Sequence, residues 1–316
     1  MKLSIVVIFH NMQREAARTL YSLGSAYQTG LSGVPYEVIA IDNGSAAPLD
    51  GDTVRAMGPE FRYRYFDTAS VSPVAAVNAG VEMARGELIA VIVDGARLAS
   101  PGLVGMSVRA ARAFDAAFIC ALAWHLGPDD QGRSMLEGYD QTVEDRLLDG
   151  IGWPANGYDL FSVSAIASSS RDGILAGVPP ECSWFCVDRR TFLDLGGFDP
   201  RFRTPGGGLV NHDFRERALA RPGLTPVVLL GEGVFHQFHG GVASNVPPEQ
   251  HPMARFQEEY TAIHGRPYLA TPSPPAMFFG ALPDQARRFL GPRDDRASIA
   301  PQPAESAAKG LFPGAR

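Results

Sequence analysis

Three stretches in the first half of the chain share one pattern, a nearly unbroken apolar run that closes on a polar turn. They are LSIVVIF (3–9), YEVIAIDNGS (36–45) and ELIAVIVDG (87–95). Runs with no alternating polar face suit strands of a parallel sheet covered on both sides. The stretches between them read as the covering helices. Residues 12–24 form one, and residues 72–86, closed by Gly86, a second. A third spans 100–114, with Ser100 as cap and Pro101 at the first helical position. RYRYF (62–66) and AAFICALAW (116–124) add further strands. This alternation predicts an α/β fold with a mostly parallel central sheet flanked by helices. Open sheets of this kind bind ligands beyond the carboxyl ends of their strands, where Asp42 and Asp94 sit. The first turn, HNMQRE, lacks the glycine fingerprint of a dinucleotide fold.

The second half is less regular. Residues 126–180 carry acids, aromatics and turns without a long period. ECSWFCVDRRTFLDLGGF (181–198) reads as a strand and a short helix. A glycine run (206–208) forms a loop leading to a helix that begins near Asp213. TPVVLLGEG (225–233) is a buried strand followed by FHQFH (235–239), and residues 253–265 suit an amphipathic helix. The expected division is 1–125 as a ligand-binding α/β half, 126–269 as the second half of the same domain, and 270–316 as a C-terminal extension. The Pro, Ala, Gly and Arg content of that extension predicts that its last part is mobile.

Charge and cysteines narrow the function. The 316 residues carry a formal net charge of −6, which argues against a nucleic-acid partner. Cys120, Cys182 and Cys186 form no paired framework or zinc set, as expected of a reducing compartment. No apolar run is long enough to span a bilayer. The expectation is a cytoplasmic protein without a transmembrane segment, with peripheral contact at the inner face of the membrane left open.

Four separated blocks, SIVVIFHNMQREAARTLYSL, VIAIDNGS, NAGVEMARGELIAVIVDG and GGFDPRFRTPGGGLVNHDFRERAL, resemble in order and spacing the signature blocks of family 2-like inverting glycosyltransferases of the GT-A fold. The FHN turn and the FHQFH segment are also similar to polypeptide N-acetylgalactosaminyltransferases. The resemblance spans roughly 3–245, with weak cover over 126–180. It implies a nucleotide-diphosphate sugar donor, with UDP preferred, and a Mn²⁺ or Mg²⁺ cofactor. It implies transfer of a hexosyl or N-acetylhexosaminyl group to a hydroxyl. The acceptor would be a saccharide, a lipid-linked saccharide or a protein, in polysaccharide or glycoconjugate biosynthesis.

The resemblance also assigns residues. Phe9, His10 and Asn11 occupy the loop that meets the base, and Asp42 contacts the nucleotide; the D-N-G turn that follows the second strand offers Asp42 a purely structural use instead. Asp94 holds ribose or metal. The family's second acid, which normally holds the metal, is replaced here by Ala96. Arg97 is either a nearby positive charge or a surface residue. His239, and less strongly His236, are metal ligands; in an extended segment the two would face opposite ways, so one ligand is expected. Asp213 is the general base, or else a helix-capping acid. His212, Trp184 and Phe185 contact sugar or acceptor, with a core position the alternative for the two aromatics. Trp153 and Tyr158 are weaker acceptor-site candidates, and Glu144 and Asp145 read as surface charge.

Two other classes compete. A nucleotidyl- or phosphosugar-handling enzyme would want an early glycine-rich pyrophosphate loop, which is absent. A scaffold descended from a transferase would explain Ala96 but not the joint retention of Asp42, Asp94, Asp213 and His239.

Overall fold

The computed structural model describes residues 2–170 and 172–290. Its first half runs β1 (Leu3–Phe9), α1 (Gln13–Leu23), β2 (Tyr36–Asn43), α2 (Gly51–Ala56), β3 (Phe61–Phe66), α3 (Val74–Met83), β4 (Leu88–Ile92), β5 (Arg97–Ala99), α4 (Leu103–Ala113) and β6 (Ala117–Leu126). Then follow α5 (Gln131–Ser134), α6 (Gln141–Gly150), β7 (Ser164–Ile166), β8 (Trp184–Asp188), α7 (Arg189–Asp194), α8 (Val210–Leu219), β9 (Thr225–His236), α9 (Met253–His264) and β10 (Met277–Gly280).

The strands form one sheet in the order β10-β9-β6-β8-β4-β1-β2-β3, with β5 paired to β9 and β7 to β6. The pairs β1–β2, β2–β3, β1–β4, β6–β9 and β9–β10 are parallel. β8 runs antiparallel to both neighbours. The sheet is therefore mostly parallel, as predicted. β8 and β9 from the second half flank β6 from the first, so both halves build one sheet.

Alternate residues of one strand serve opposite faces. In β1, Val6 and Ile8 join one hydrophobic cluster, while Ile5 and Val7 join the other. Both clusters are buried, which is why β1, β2 and β4 carry nearly continuous apolar runs rather than an alternating pattern.

Helix ends depart from expectation. The third helix is capped by Gly102, not Ser100. Ser100 is instead tied to a buried carboxylate, its hydroxyl donating to Glu232 Oε2 at 2.5 Å and accepting from Gly233 N at 3.0 Å. The helix expected to close at Gly86 ends at Met83. The helix expected near Asp213 begins three residues earlier, at Val210. Residues 277–280, assigned by sequence to an extension, add an edge strand beside β9. The expected mobility at the end of 270–316 concerns residues outside those described. Among the described residues, no helix is long and apolar enough to cross a membrane.

Candidate functional site

The sheet changes direction at β1. The chain passes from β1 to β2 and β3 on one side, then returns to β4 on the other. Such switch points leave a crevice at the carboxyl ends of the strands. A cleft of about 530 Å³ opens there, between the ends of β1 and β4, the start of α8 and the loop after β9.

The turn after β4 sets the chemistry of that cleft. Gly95 N donates to Ile8 O at 2.8 Å, so the chain folds down onto the end of β1. A Cβ on Gly95 would stand 2.4 Å from Phe9 Cδ1 and 2.6 Å from Ile8 O, so only glycine permits the approach. The chain then enters β5, which pairs antiparallel with the end of β9, Arg97 opposite His236. That pairing brings Asp94 to the histidines. Asp94 Oδ2 lies 2.8 Å from His236 Nε2, and Asp94 Oδ1 lies 3.5 Å from His239 Nε2. The two Nε2 atoms are 3.2 Å apart. The ligand atoms of all three side chains fall within 4.8 Å of one another.

Both histidines, His236 as well as His239, stand within ligand reach of Asp94. β9 ends at His236, so the strand alternation that would separate the rings does not reach His239. Ala96 is fully buried in a core cluster, facing away from the cleft. The position where an acid was missed could not present one to a ligand; the second strand's histidine supplies the neighbouring donor instead.

Electrostatics in the cluster follow from burial. Burial works against ionisation of Asp94, but His239 and His236 outweigh it and hold its carboxyl well below the usual range. Burial lowers His236 to about 4, despite the pull of Asp94. His239 moves up, because Asp94 more than offsets the burial that opposes its charge. His236 is therefore a neutral ring. A neutral imidazole nitrogen 2.8 Å from a carboxylate oxygen donates its proton there in one tautomer, and in the other presents a lone pair that a shared cation would join to the carboxylate. One carboxylate and two imidazoles suit Mn²⁺, Fe²⁺, Co²⁺ or Zn²⁺ better than Mg²⁺, which prefers an all-oxygen shell.

Other assigned residues divide into those on the cleft and those off it. His10 and Asn11 line it. Asn11 adopts a left-handed φ of 53°. Its N–H donates to Ser45 Oγ, and its Oδ1 accepts from Ala46 N. Phe9 is fully buried in the core below them. Asp42 is also fully buried, and both its oxygens are taken, by Ser45 N at 2.9 Å and Leu49 N at 2.8 Å. These bonds make it shape the D-N-G turn, and it does not line the cleft, whereas its neighbour Asn43 does.

Trp184 and Phe185 are core residues. As neighbours on β8 they point to opposite faces: Trp184 donates to Ser107 Oγ, and Phe185 stacks between Phe118 and Phe214. Neither touches the cleft. Trp153 packs on Tyr21 and Tyr27, and Tyr158 donates to Glu232, both away from it. Glu144 is not surface charge; it is fully buried and accepts from Phe238 N at 2.7 Å, bracing the segment between the two histidines. Asp145, partly exposed, pairs with Arg14 and Arg18.

Asp213 is the largest correction. It is 2% exposed, and its carboxylate faces Arg217 and His264 rather than the cleft. With the helix starting at Val210, Asp213 sits on the far side of the first turn, while Asn211 and His212 face the cleft. His212 thus lines the cleft, and burial lowers its pKa.

Sequence reasoning left Arg97 open and passed over three further lining residues, His125, Ser244 and Glu181. Arg97 is only 8% exposed and reaches Asp94 Oδ2 at 3.6 Å, so it is a site residue. His125 stacks on His236 with ring centroids 5.1 Å apart. Ser244 Oγ lies 3.2 Å from His236 Nε2. Among the described residues lining the cleft, Glu181 is the one carboxylate besides Asp94, and it makes no hydrogen bond or ion pair there. No local sequence signal marks His125, Ser244 or Glu181; each is placed by long-range pairing.

Residues 4–153, which include the β1 turn and Asp94, match the family model described as Glycosyl transferase family 2. The segment is similar to members of that family. The search of curated proteins found no match. Among solved structures, the chain is similar to S. aureus TarS, at 13% identity and a TM-score of 0.50, over 76% of this chain and 37% of that one. It is similar also to S. aureus TarS 1-349 in complex with UDP-GlcNAc, at 13% identity and a TM-score of 0.50, over 76% of this chain and 60% of that one. The chain thus spans less than two thirds of the length of these structures. At this identity the likeness speaks to the fold, and it agrees with the GT-A architecture. The matched segment holds β1 to β6, and the structural likeness, covering 76% of the chain, extends beyond it.

Proposed function

We propose that this protein transfers a sugar, with inversion, from a nucleotide-diphosphate sugar to a hydroxyl acceptor. The observation that carries the reading is the Asp94–His236–His239 cluster at the mouth of the family 2-like segment's sheet. A divalent cation held by these three side chains would neutralise the diphosphate as it leaves. UDP is the proposed nucleotide, in line with the UDP-GlcNAc bound by TarS 1-349. The two-histidine donor set favours Mn²⁺, and its similarity to polypeptide N-acetylgalactosaminyltransferases favours an N-acetylhexosamine. A saccharide, lipid-linked saccharide or protein acceptor remains the proposed class.

The protein's own groups divide the remaining work. His10, Asn11 and Asn43 line the end of the cleft beyond β1 and β2, where the base would lie. Arg97 supplies fixed positive charge beside Asp94. Glu181 takes the place assigned to Asp213: it is the free carboxylate on the cleft wall. As the acceptor oxygen bonds to the anomeric carbon, the bond from that carbon to the diphosphate oxygen breaks. The diphosphate leaves with the electron pair, and Glu181 takes the hydroxyl proton. The buried free thiols Cys120, Cys182 and Cys186 support a reducing, cytoplasmic setting.

Calorimetric titration with UDP, GDP, CMP and dTDP, each with Mn²⁺ and with EDTA, tests this reading. Metal-dependent binding of one nucleotide, lost in His239→Ala, is expected. In a donor screen guided by that result, Glu181→Gln should retain nucleotide binding and lose turnover. Binding of none of the four would overturn the donor reading.

A further inference from the structure

Two of the three proposed ligands, His236 and His239, are held by a small amide network with a single consistent hydrogen-bond direction. Gln131 is fully buried at the start of α5. Its Nε2 donates to two backbone carbonyls, His236 O at 2.8 Å and Leu126 O at 3.3 Å. Carbonyls only accept, so the amide cannot be turned round. Gln131 Oε1 must then be the acceptor of its other two contacts, Asn245 Nδ2 at 2.8 Å and His236 Nδ1 at 2.8 Å. His236 consequently carries its proton on Nδ1 and offers the Nε2 lone pair toward Asp94 and His239.

Asn245 is oriented in the same way. Its Oδ1 accepts from three successive N–H groups, His239, Gly240 and Gly241, at 3.0, 2.9 and 3.0 Å. One amide pair therefore controls both histidines: Gln131 sets the tautomer of His236, and Asn245 pins the backbone that carries His239. Gln131 N also donates to His125 Nδ1 at 2.9 Å, which fixes the ring stacked on His236. None of these hydrogen bonds involves a nucleotide or a sugar.

We propose that Gln131 and Asn245 are positioning residues that preset His236 and His239, beside Asp94, to receive a divalent cation. The inference rests on the cation reading of that cluster. Partners of this type hold ligand rings in the tautomer and orientation a metal needs, and their loss costs about 10- to 100-fold in metal affinity.

The test measures Mn²⁺ affinity by calorimetry in the wild-type chain, Gln131→Met and Asn245→Ser, without substrate or turnover. Nitrogen-15 spectra of the metal-free protein report the His236 tautomer separately. Wild-type binding, a loss of about 10-fold or more in each variant, and a proton on Nδ1 of His236 are expected. Wild-type binding with equal affinity in both variants would overturn the positioning role and leave the cation site standing. Absence of wild-type binding would overturn both. A wild-type His236 protonated on Nε2 alone sinks the inference even if neither variant folds.

Discussion

Arg217 Nε lies 2.8 Å from Asp213 Oδ2 across one turn of α8, and His264 Nε2 stands 3.0 Å from Asp213 Oδ1. Arg217 also donates to Leu195 O and Gly197 O. Asp213 thus anchors the guanidinium that ties α8 to the turn after α7. Removing one member of a buried pair leaves the other without its counter-charge. Asp213→Asn should therefore destabilise the fold by about 1–3 kcal/mol, somewhat below the cost of a fully buried pair because Arg217 is partly exposed. Urea unfolding measures this. Unchanged stability with turnover reduced by orders of magnitude would return the general base to Asp213.

Arg97 should matter to nucleotide binding more than to folding. Its Nη1 is buried without a hydrogen-bond partner, and its other arm approaches Asp94. A hydrogen bond to a charged group contributes about 1.5–3 kcal/mol. Arg97→Met should therefore weaken UDP binding about 10-fold or more. Calorimetry at two salt concentrations checks it, and the variant's binding should respond less to salt. Equal affinities would place Arg97 outside the donor site.

Glu144 makes stability depend on pH. Burial pushes its carboxyl up to about 7, against the opposing pulls of Phe238 N–H and Arg14. The unfolded carboxyl titrates near its ordinary value of about 4.3. Between those values the folded protein holds more protons than the unfolded chain, so stability falls as pH rises. The contribution is fullest below the unfolded value and is lost as pH climbs through about 7. Thermal melts of wild type and Glu144→Gln at pH 5 and 7.5 should show a smaller decline in the variant. Parallel declines would mean that Glu144 is ionised in the fold throughout.

Trp184 and Phe185 should behave as core residues. Truncating a large buried aromatic costs about 3–5 kcal/mol. Phe185→Ala should lose about that much stability, while the folded fraction still binds nucleotide as wild type does. Trp184→Phe should cost less and likewise spare binding. Selective loss of donor or acceptor affinity with normal stability would restore the sugar-contact role.

The strand-helix alternation was legible because a strand buried on both faces needs an unbroken apolar run, and β1, β2 and β4 each carry one. The same runs located Asp42 and Asp94 at strand ends. Their separate fates were not legible. Asp42 is followed by a turn whose N–H groups close on both its oxygens. Asp94 is followed by Gly95, which folds the chain onto β1 and opens the carboxylate to the cleft. Helix starts were misread where a side-chain cap was assumed: Ser100 serves Glu232, and α8 begins three residues before Asp213. A shift of that size rotates a helical residue by most of a turn, enough to move Asp213 off the cleft and bring His212 and Asn211 onto it.

By itself, the amino-acid sequence determined the α/β layering, the ligand-binding end of the sheet and the residue types available there, because these follow from periodicity and local order. Tertiary structure alone decided which of those residues meet. Asp94 reaches His236 across 142 residues because β5 pairs with the end of β9. Gln131 reaches the same ring across 105 residues because its amide finds two carbonyls and two donors in one buried pocket. Hydrogen-bond direction and strand register are properties of the assembled sheet, and no local pattern encodes them.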